Sequence, residues 1–119
     1  MKIELDLVRE FHEKFAVPVL SEPSLIPVDR YQLRHKLMSD EVKEYFEGAQ
    51  KGDLANLALE LADVLYATYG TILEHGLQEV MPLIFAEIHR SNMSKDYDQY
   101  KMVKGPAYFK ADMKKFFPE

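Results

Sequence analysis

The chain has 119 residues, of which 47 % are apolar and 29 % charged, a composition typical of a globular domain and not of a disordered or fibrous chain. It has no cysteine, which excludes disulfides, thiolate metal sites and cysteine nucleophiles. The 15 basic and 20 acidic residues give a net charge of -5, which disfavours binding to nucleic acid or to an anionic membrane. We expect a single domain over residues 1–119.

The N-terminal sequence MKIELDLVREFHEKF mixes charged with apolar residues and lacks the continuous apolar run of a signal peptide. The longest apolar stretch, residues 54–73, has about the length of a membrane span. Two carboxylates in its middle would make insertion into a bilayer costly. We therefore expect a cytoplasmic protein that makes no contact with a membrane.

Four segments have the sequence period of helices, and they are residues 2–16, 29–50, 54–75 and 77–94. The first should stop before Pro18, because proline disfavours helix at the residue before it. Asp29 and Asp53 precede the second and third segments as candidate N-caps. Pro82 lies inside the fourth segment, where it either kinks the helix or occupies its first turn.

The third segment is apolar nearly all round, so it should form the central and most buried helix. Beyond Lys95 the periodicity is poor, and we expect an ordered but irregular C-terminal arm with one short helix at most. No stretch alternates with the period of a strand. The predicted fold class is all-α, a bundle of four main helices followed by this arm.

Glu60 and Asp63 are the only charges in residues 54–73, and their spacing places them on one side of the helix. Ionised carboxylates in an apolar setting cost free energy unless something neutralises them. Arg34, Lys36 or an N-terminal charge could pair with them, they could share protons, or a cation could bind.

The preceding helix adds three carboxylates within little more than one turn, Asp40, Glu41 and Glu44. Two antiparallel helices joined by a short connection would bring these carboxylates to Glu60 and Asp63. Five converging carboxylates repel one another unless divalent cations bind, and ligation by oxygen alone indicates Mg²⁺ or Mn²⁺. The sequence therefore predicts a metal site between the second and third helices.

Two pairs of motifs resemble a known family. D-E-x-x-E (40–44) followed by E-L-A-D-V-L-Y (60–66) resembles the MazG-like, all-α nucleoside triphosphate pyrophosphohydrolases. E-I-H-R-S-N-M-S-K (87–95) and K-G-P-A-Y-F (104–109) resemble the branch related to phosphoribosyl-ATP pyrophosphohydrolase. The resemblance covers about residues 5–112. It implies hydrolysis of a nucleoside triphosphate between the α and β phosphates, giving the monophosphate and pyrophosphate.

The resemblance also implies roles for the carboxylates. Glu41, Glu44, Glu60 and Asp63 would hold Mg²⁺, or Mn²⁺, and Asp40 stands beside them where family members usually have a glutamate. Glu41 matches the candidate general base for the attacking water, so it is the predicted catalytic residue. This chemistry suits the residues, because a metal ion acidifies bound water and a nearby carboxylate can take the proton.

The C-terminal region has the opposite charge, since residues 89–115 hold 7 basic and only 3 acidic side chains. Lysine and arginine complement phosphate oxygens. An asparagine can read a base edge or a sugar hydroxyl, and a tyrosine can stack on a base, although Tyr66 also suits a place in the core. The predicted substrate-binding residues are Arg90, Asn92, Lys95, Lys104, Tyr66 and Tyr108.

Two alternatives stay open at this point. The substrate could be phosphoribosyl-ATP, or the chain could be a non-enzymatic helical module whose acidic cluster binds a partner or a structural ion. The predicted partners are a nucleoside triphosphate and further copies of this chain, in a dimer or a tetramer, with no nucleic acid.

Overall fold

A computed structural model describes residues 1–98 and 100–118. Within them the fold is all-α, as predicted, apart from one pair of two-residue antiparallel strands and one short 3₁₀ helix. The helices are α1 (Lys2–Lys14), α2 (Val28–Lys51), α3 (Leu54–Glu74) and α4 (Met81–Met93), the strands are β1 (Asp96–Tyr97) and β2 (Met102–Val103), and the 3₁₀ helix is η1 (Lys114–Phe116).

The chain forms two compact units, Met1–Gln78 and Glu79–Glu119. The first contains α1, α2 and α3, and the second contains α4, the two short strands and η1. The predicted single domain over residues 1–119 stays a prediction.

In the first unit, α3 packs against both α2 and α1. Leu5 and Val8 from α1 and Leu73 from α3 form a small, fully buried core. The connection between α1 and α2 runs past the end of α3, where the Leu20 N–H donates to the Leu73 carbonyl at 3.1 Å. The prolines of this connection suit its extended path, because each fixes φ and removes one donor.

The prediction that α3 is the central and most buried helix is confirmed, since most of its residues are buried or half-buried whereas most residues of α1, α2 and α4 are exposed. Its burial is incomplete, because Leu59, Leu61 and Leu65 are all exposed. Buried residues occur only near its C-terminal end, at Gly70, Leu73 and Glu74. Two neighbouring helices cannot surround a helix that is apolar on every side, so part of its apolar surface faces outward.

Helix boundaries follow local chemistry. Asp53 caps α3 as predicted, since its side chain accepts the Asn56 N–H at 3.2 Å. Gly52 ends α2 with φ at 70°, a left-handed conformation that glycine adopts without strain. The predicted cap at Asp29 is wrong, because Pro27 takes the N-cap position and Asp29 lies in the first turn of α2.

The fourth helix begins at Met81 and not at residue 77. Pro82 lies in its first turn, where the missing N–H breaks no helical hydrogen bond. β1 and β2 are too short to produce a recognisable alternation, so the sequence did not predict them. No helix in the described ranges has both the length and the apolarity needed to cross a bilayer. The cytoplasmic location stays a prediction.

Candidate metal centre

The site depends on the close approach of α2 and α3 near their connection. A Cβ atom on Gly48 of α2 would lie only 2.8 Å from Nδ2 of Asn56 and 3.6 Å from Cγ of Glu60. The absent side chain therefore lets α3 approach α2. Farther from the connection, Glu41 meets Asp63, so the two helices run antiparallel as predicted.

Three carboxylates converge at this contact. Glu41, Glu60 and Asp63 each offer one oxygen, and these three oxygens lie within 4.8 Å of one another. All three residues are half-buried. The Oε2 atoms of Glu41 and Glu60 are buried, and no donor from the described part of the chain reaches them. Buried acceptors without donors are costly, so a ligand that can be shared by several oxygens would stabilise this arrangement.

Burial and mutual repulsion both raise the pKa values of carboxylates in this group. Burial is the largest cause for the pKa of Glu41, and the nearby carboxylate of Glu44 raises it further through its charge and a hydrogen-bonding contact. The same two causes, in the same order, raise the pKa of Glu60. Glu44 is exposed, yet it lies close enough to act on both residues. Of the four predicted ligands, Glu41, Glu60 and Asp63 thus converge on one site, and Glu44 lies beside it. Their binding of Mg²⁺ stays a prediction.

Arg34 and Lys36, two of the cations considered as neutralising partners, form ion pairs with other carboxylates. Nη1 of Arg34 lies 3.1 Å from Oε2 of Glu74, near the far end of α3. Nζ of Lys36 lies 2.6 Å from Oδ2 of Asp40. Asp40 is exposed and does not belong to the group of converging oxygens, so its ligand role also stays a prediction.

A cavity of about 250 Å³ adjoins the carboxylates. Its rim includes Tyr66 and Phe11, whose rings meet edge to face with centroids 5.5 Å apart. Its floor includes His12 and Arg34, which are only 2 % and 5 % exposed. The full lining consists of Phe11, His12, Arg34, Leu37, Glu41, Asp63, Tyr66 and Ala67. Tyr66 therefore reaches the site, as predicted, although its stacking on a base stays a prediction.

Sequence reasoning missed His12 and Arg34 as cavity residues. The signal was Gly70, in the interior of α3, where glycine costs helix stability and therefore indicates a close contact. A Cβ atom at this position would lie 2.5 Å from Nη2 of Arg34 and 2.9 Å from Nε2 of His12. Gly70 thus leaves room for both side chains against the backbone of α3.

The second unit contains Arg90, another predicted substrate-binding residue. Its Nε and Nη2 atoms donate to the two oxygens of buried Glu87 at 2.7 and 3.1 Å. The Asp112 N–H and Nζ of Lys115 also bind Glu87, at 2.8 and 3.2 Å. Hydrogen bonding from Arg90 is the largest of the effects that lower the pKa of Glu87 to about 2. Arg90 is thus part of an ion network within this unit, and its contact with substrate stays a prediction.

The other predicted substrate-binding residues also lie in the second unit. Asn92 is exposed on α4, and Lys95 is half-buried just after it. Nζ of Lys104 lies 5.4 Å from the centroid of the Tyr108 ring, so the structure brings these two together. Their contact with a nucleotide stays a prediction.

Comparison with known proteins agrees with this arrangement. The model of one family, described as phosphoribosyl-ATP pyrophosphohydrolase, matches residues 8–92. The matched range includes the four carboxylates at 41, 44, 60 and 63. Comparison with the curated proteins finds no significant match. The chain therefore belongs to the phosphoribosyl-ATP pyrophosphohydrolase family, which indicates pyrophosphohydrolase activity on a nucleotide-type substrate.

Proposed function

We propose that the protein hydrolyses a nucleoside triphosphate between the α and β phosphates, in a reaction that depends on Mg²⁺. The observation that carries this proposal is the convergence of Glu41, Glu60 and Asp63, with two buried carboxylate oxygens that no donor within residues 1–98 and 100–118 satisfies. The family match supports the reaction class. The unpaired oxygens would suit a structural ion as well, so it is the family match that favours an enzyme over a binding module.

The residues fit a magnesium ion. Magnesium prefers oxygen ligands, and the unsatisfied oxygens of Glu41 and Glu60 are of that kind. Glu41, Glu60 and Asp63 would hold the ion, with Glu44 beside them, and Mn²⁺ would suit the same donors. When bound, the ion would supply charge neutralisation of the phosphates and a bound water of lowered pKa.

Glu41 serves as the general base in this proposal. Its Oε2 atom is buried and has no hydrogen-bond donor among the described residues, so it is free to accept a proton from a nearby water. The attacking water gives one proton to Glu41 while its oxygen forms a bond to the α-phosphorus. The bond between the α-phosphorus and the oxygen bridging the α and β phosphates breaks, and pyrophosphate leaves with that oxygen.

The test is a panel of NTPs and dNTPs with Mg²⁺, scored for pyrophosphate against orthophosphate. We expect pyrophosphate and the nucleoside monophosphate. Glu41→Gln should lower kcat by roughly 10²–10⁴, the usual contribution of a general base. Glu47→Gln is the matched control, because Glu47 is an exposed glutamate of α2 outside the site and should be neutral. Orthophosphate would mean that a different bond is cleaved, and no product from any substrate would favour the binding module.

Phosphoribosyl-ATP is the second candidate substrate, because the matching family is described by that activity. Competition between phosphoribosyl-ATP and the best dNTP or NTP would separate the two. The preferred substrate will be consumed first, and a low concentration of it will be enough to inhibit hydrolysis of the other substrate.

We also propose that the protein is a homo-oligomer, a dimer or a tetramer. Leu7 of α1, Phe15 directly after α1 and Leu65 of α3 are each more than half exposed. Such apolar side chains on neighbouring helices are typical of a surface that another chain covers. Sedimentation equilibrium should show a mass above 13.9 kDa, and Leu65→Glu should shift it toward the monomer.

A further inference from the structure

We propose that His12 and Arg34 form a recognition floor that binds the hydrogen-bonding edge of one unsubstituted nucleobase and so determines which nucleotides the enzyme accepts. This inference rests on the proposed function, since it places the base of the substrate in the cavity beside the candidate metal site. It also separates the two candidate substrates.

His12 offers a hydrogen-bond acceptor at the floor. Its Nδ1 atom lies 3.1 Å from the carbonyl oxygen of Pro18, and a carbonyl only accepts, so Nδ1 carries a hydrogen. Burial lowers the pKa of His12, which keeps the ring neutral. In a neutral imidazole with hydrogen on Nδ1, the Nε2 atom is a free acceptor.

Arg34 offers a donor beside it. Its Nε donates to Oγ1 of Thr71 at 3.1 Å, and its Nη2 donates to the carbonyl of Ala67 at 2.9 Å. Its Nη1 faces Glu74 at 3.1 Å. A guanidinium has five N–H groups, so hydrogens remain on Nη2 and Nη1 after these bonds. The two hydrogen bonds and the ion pair with Glu74 hold the guanidinium in one orientation, which makes it a fixed donor.

Gly70 places these two groups next to each other. Nη2 of Arg34 and Nε2 of His12 both lie against the point where a Cβ of residue 70 would stand. A donor beside an acceptor is complementary to the edge of a nucleobase, which presents an acceptor next to an N–H group. The rings of Phe11 and Tyr66, which pack edge to face at the rim, supply an apolar surface for one face of such a base.

The size of the cavity limits what can bind. Its volume of about 250 Å³ is smaller than the roughly 300–1,000 Å³ of sites for drug-sized ligands. Glu41 and Asp63 line the same cavity, so the base would lie on the floor while the phosphates reach the carboxylates. Phosphoribosyl-ATP carries its extra sugar phosphate on N1 of adenine, on the edge that would face the floor. Because His12 and Arg34 are buried, that group has no room, and an ordinary nucleotide should be preferred.

The experiment uses two substitutions at His12 with opposite geometry. His12→Asn keeps a donor near the position of Nδ1, and thus the bond to Pro18, but removes the acceptor at Nε2. His12→Gln keeps a polar atom near Nε2 and loses the bond to Pro18. His75→Asn is the matched control, because His75 has the same kind of bond, from Nδ1 to the carbonyl of Ser24 at 2.8 Å, but lies outside the cavity lining.

The wild type and each variant are assayed with the nucleotide that the wild type hydrolyses best and with 2-deoxyribose 5-triphosphate, which has no base. We expect His12→Asn to lower kcat/KM for the nucleotide about three- to tenfold, the effect of one neutral hydrogen bond, and to leave the base-free substrate unchanged. His12→Gln and His75→Asn should retain the preference for the nucleotide. Equal losses on both substrates, or a wild type that hydrolyses the base-free compound as well as nucleotides, would overturn the proposal. So would a preference for phosphoribosyl-ATP over ATP.

A binding measurement separates this proposal from the proposed function. Free nucleosides, without phosphate or metal, are titrated into the wild type and His12→Asn, and binding is followed by NMR. Weaker binding to His12→Asn supports the recognition floor even if no triphosphate is hydrolysed. Equal affinity for the two proteins, or no binding to either, would refute it even if hydrolysis is confirmed. Gly70→Ala, which would place a methyl group against both floor residues, should abolish nucleoside binding in a protein whose helical circular dichroism is intact.

Discussion

Buried or half-buried carboxylates occur in two kinds of surroundings in this protein. Glu74 and Glu87 are almost fully buried, and each is bound by two cations, Glu74 by Arg30 and Arg34 at 2.7 and 3.1 Å. Glu41 and Glu60 are half-buried, and each keeps one buried oxygen without a hydrogen-bond donor in the described residues. Oε2 of Glu74 also lacks a hydrogen bond, but the guanidinium of Arg34 lies 3.1 Å from it, whereas no ion pair among the described residues involves Glu41 or Glu60. Cations stabilise the first kind, whereas neighbouring carboxylates destabilise the charged form of the second. The partners of a carboxylate therefore distinguish a structural role from a functional one more clearly than its depth does.

The largest effect on stability is expected at Glu74. Glu74→Gln would leave Arg30 and Arg34 near the core without a counter-charge, and breaking a buried ion pair typically costs about 3–5 kcal/mol. That loss is a large part of the stability of a small protein. Urea unfolding followed by circular dichroism measures it. A loss below about 1 kcal/mol would mean that this network is no more structural than a surface pair.

The same substitution at Glu60 should increase stability in metal-free buffer, whereas Glu74→Gln decreases it. The pKa of Glu60 is raised from its ordinary value of 4.5, so the folded state holds its proton to higher pH than the unfolded state does. This group therefore favours folding at acidic pH and opposes it once the pH exceeds the folded pKa. Glu60→Gln should raise Tm at pH 7 and leave it nearly unchanged at pH 4.

Magnesium gives the control for this prediction. Binding to the folded state alone should raise the Tm of the wild type with increasing Mg²⁺, because a ligand of the native state stabilises it. Glu60→Gln should lose most of this response, while Glu47→Gln should retain it. A decrease in Tm for metal-free Glu60→Gln would show that this carboxylate is a structural group like Glu74.

Sequence periodicity was sufficient for much of this picture. It placed the helices, because apolar spacing and caps such as Asp53 are local signals, and it placed Glu41 and Glu44 opposite Glu60 and Asp63, because a short connection forces two helices to lie antiparallel. It did not show that part of the apolar surface of α3 faces outward, since the number of helices available to cover it is a property of the whole fold.

The partner of Arg34 could not be assigned from local signals. Arg34 precedes Glu41 by seven positions on α2, and Glu74 follows Asp63 by eleven positions on α3. Eleven positions correspond to roughly 16 Å along a helix. Once Glu41 lies opposite Asp63, an antiparallel register places Arg34 near Gly70 and Glu74, out of reach of the metal-site carboxylates. Whether Arg34 or a metal ion neutralises the carboxylates thus depends on the register between α2 and α3, which is set only when the two helices pack.

The lowered pKa of Glu87 predicts a different dependence of stability on pH in the acid range. Its pKa is lowered from 4.5 to about 2, so its contribution to stability is present above about pH 4.5 and is lost as the pH falls toward 2. This trend is opposite to that of Glu60. Glu87→Gln should lower Tm at pH 7 and flatten the loss of stability between pH 4.5 and 2. Thermal unfolding in metal-free buffer over pH 2–7 measures both trends, and an unchanged acid limb would show that the Glu87 network contributes nothing to folding.

The smallest effect is expected at Asp40, and it determines how far the metal site extends. Asp40 is exposed and paired with Lys36 on the next turn of the same helix, and such surface pairs contribute at most about 1 kcal/mol. If the unpaired oxygens define the site, Asp40→Asn should change Tm, the Mg²⁺ response and kcat only slightly. If Asp40 leaves Lys36 to bind the ion, Asp40→Asn should weaken Mg²⁺ binding as Glu60→Gln does. Isothermal titration of Mg²⁺ into both variants distinguishes these cases, because the first leaves the affinity of Asp40→Asn near that of the wild type and the second lowers it.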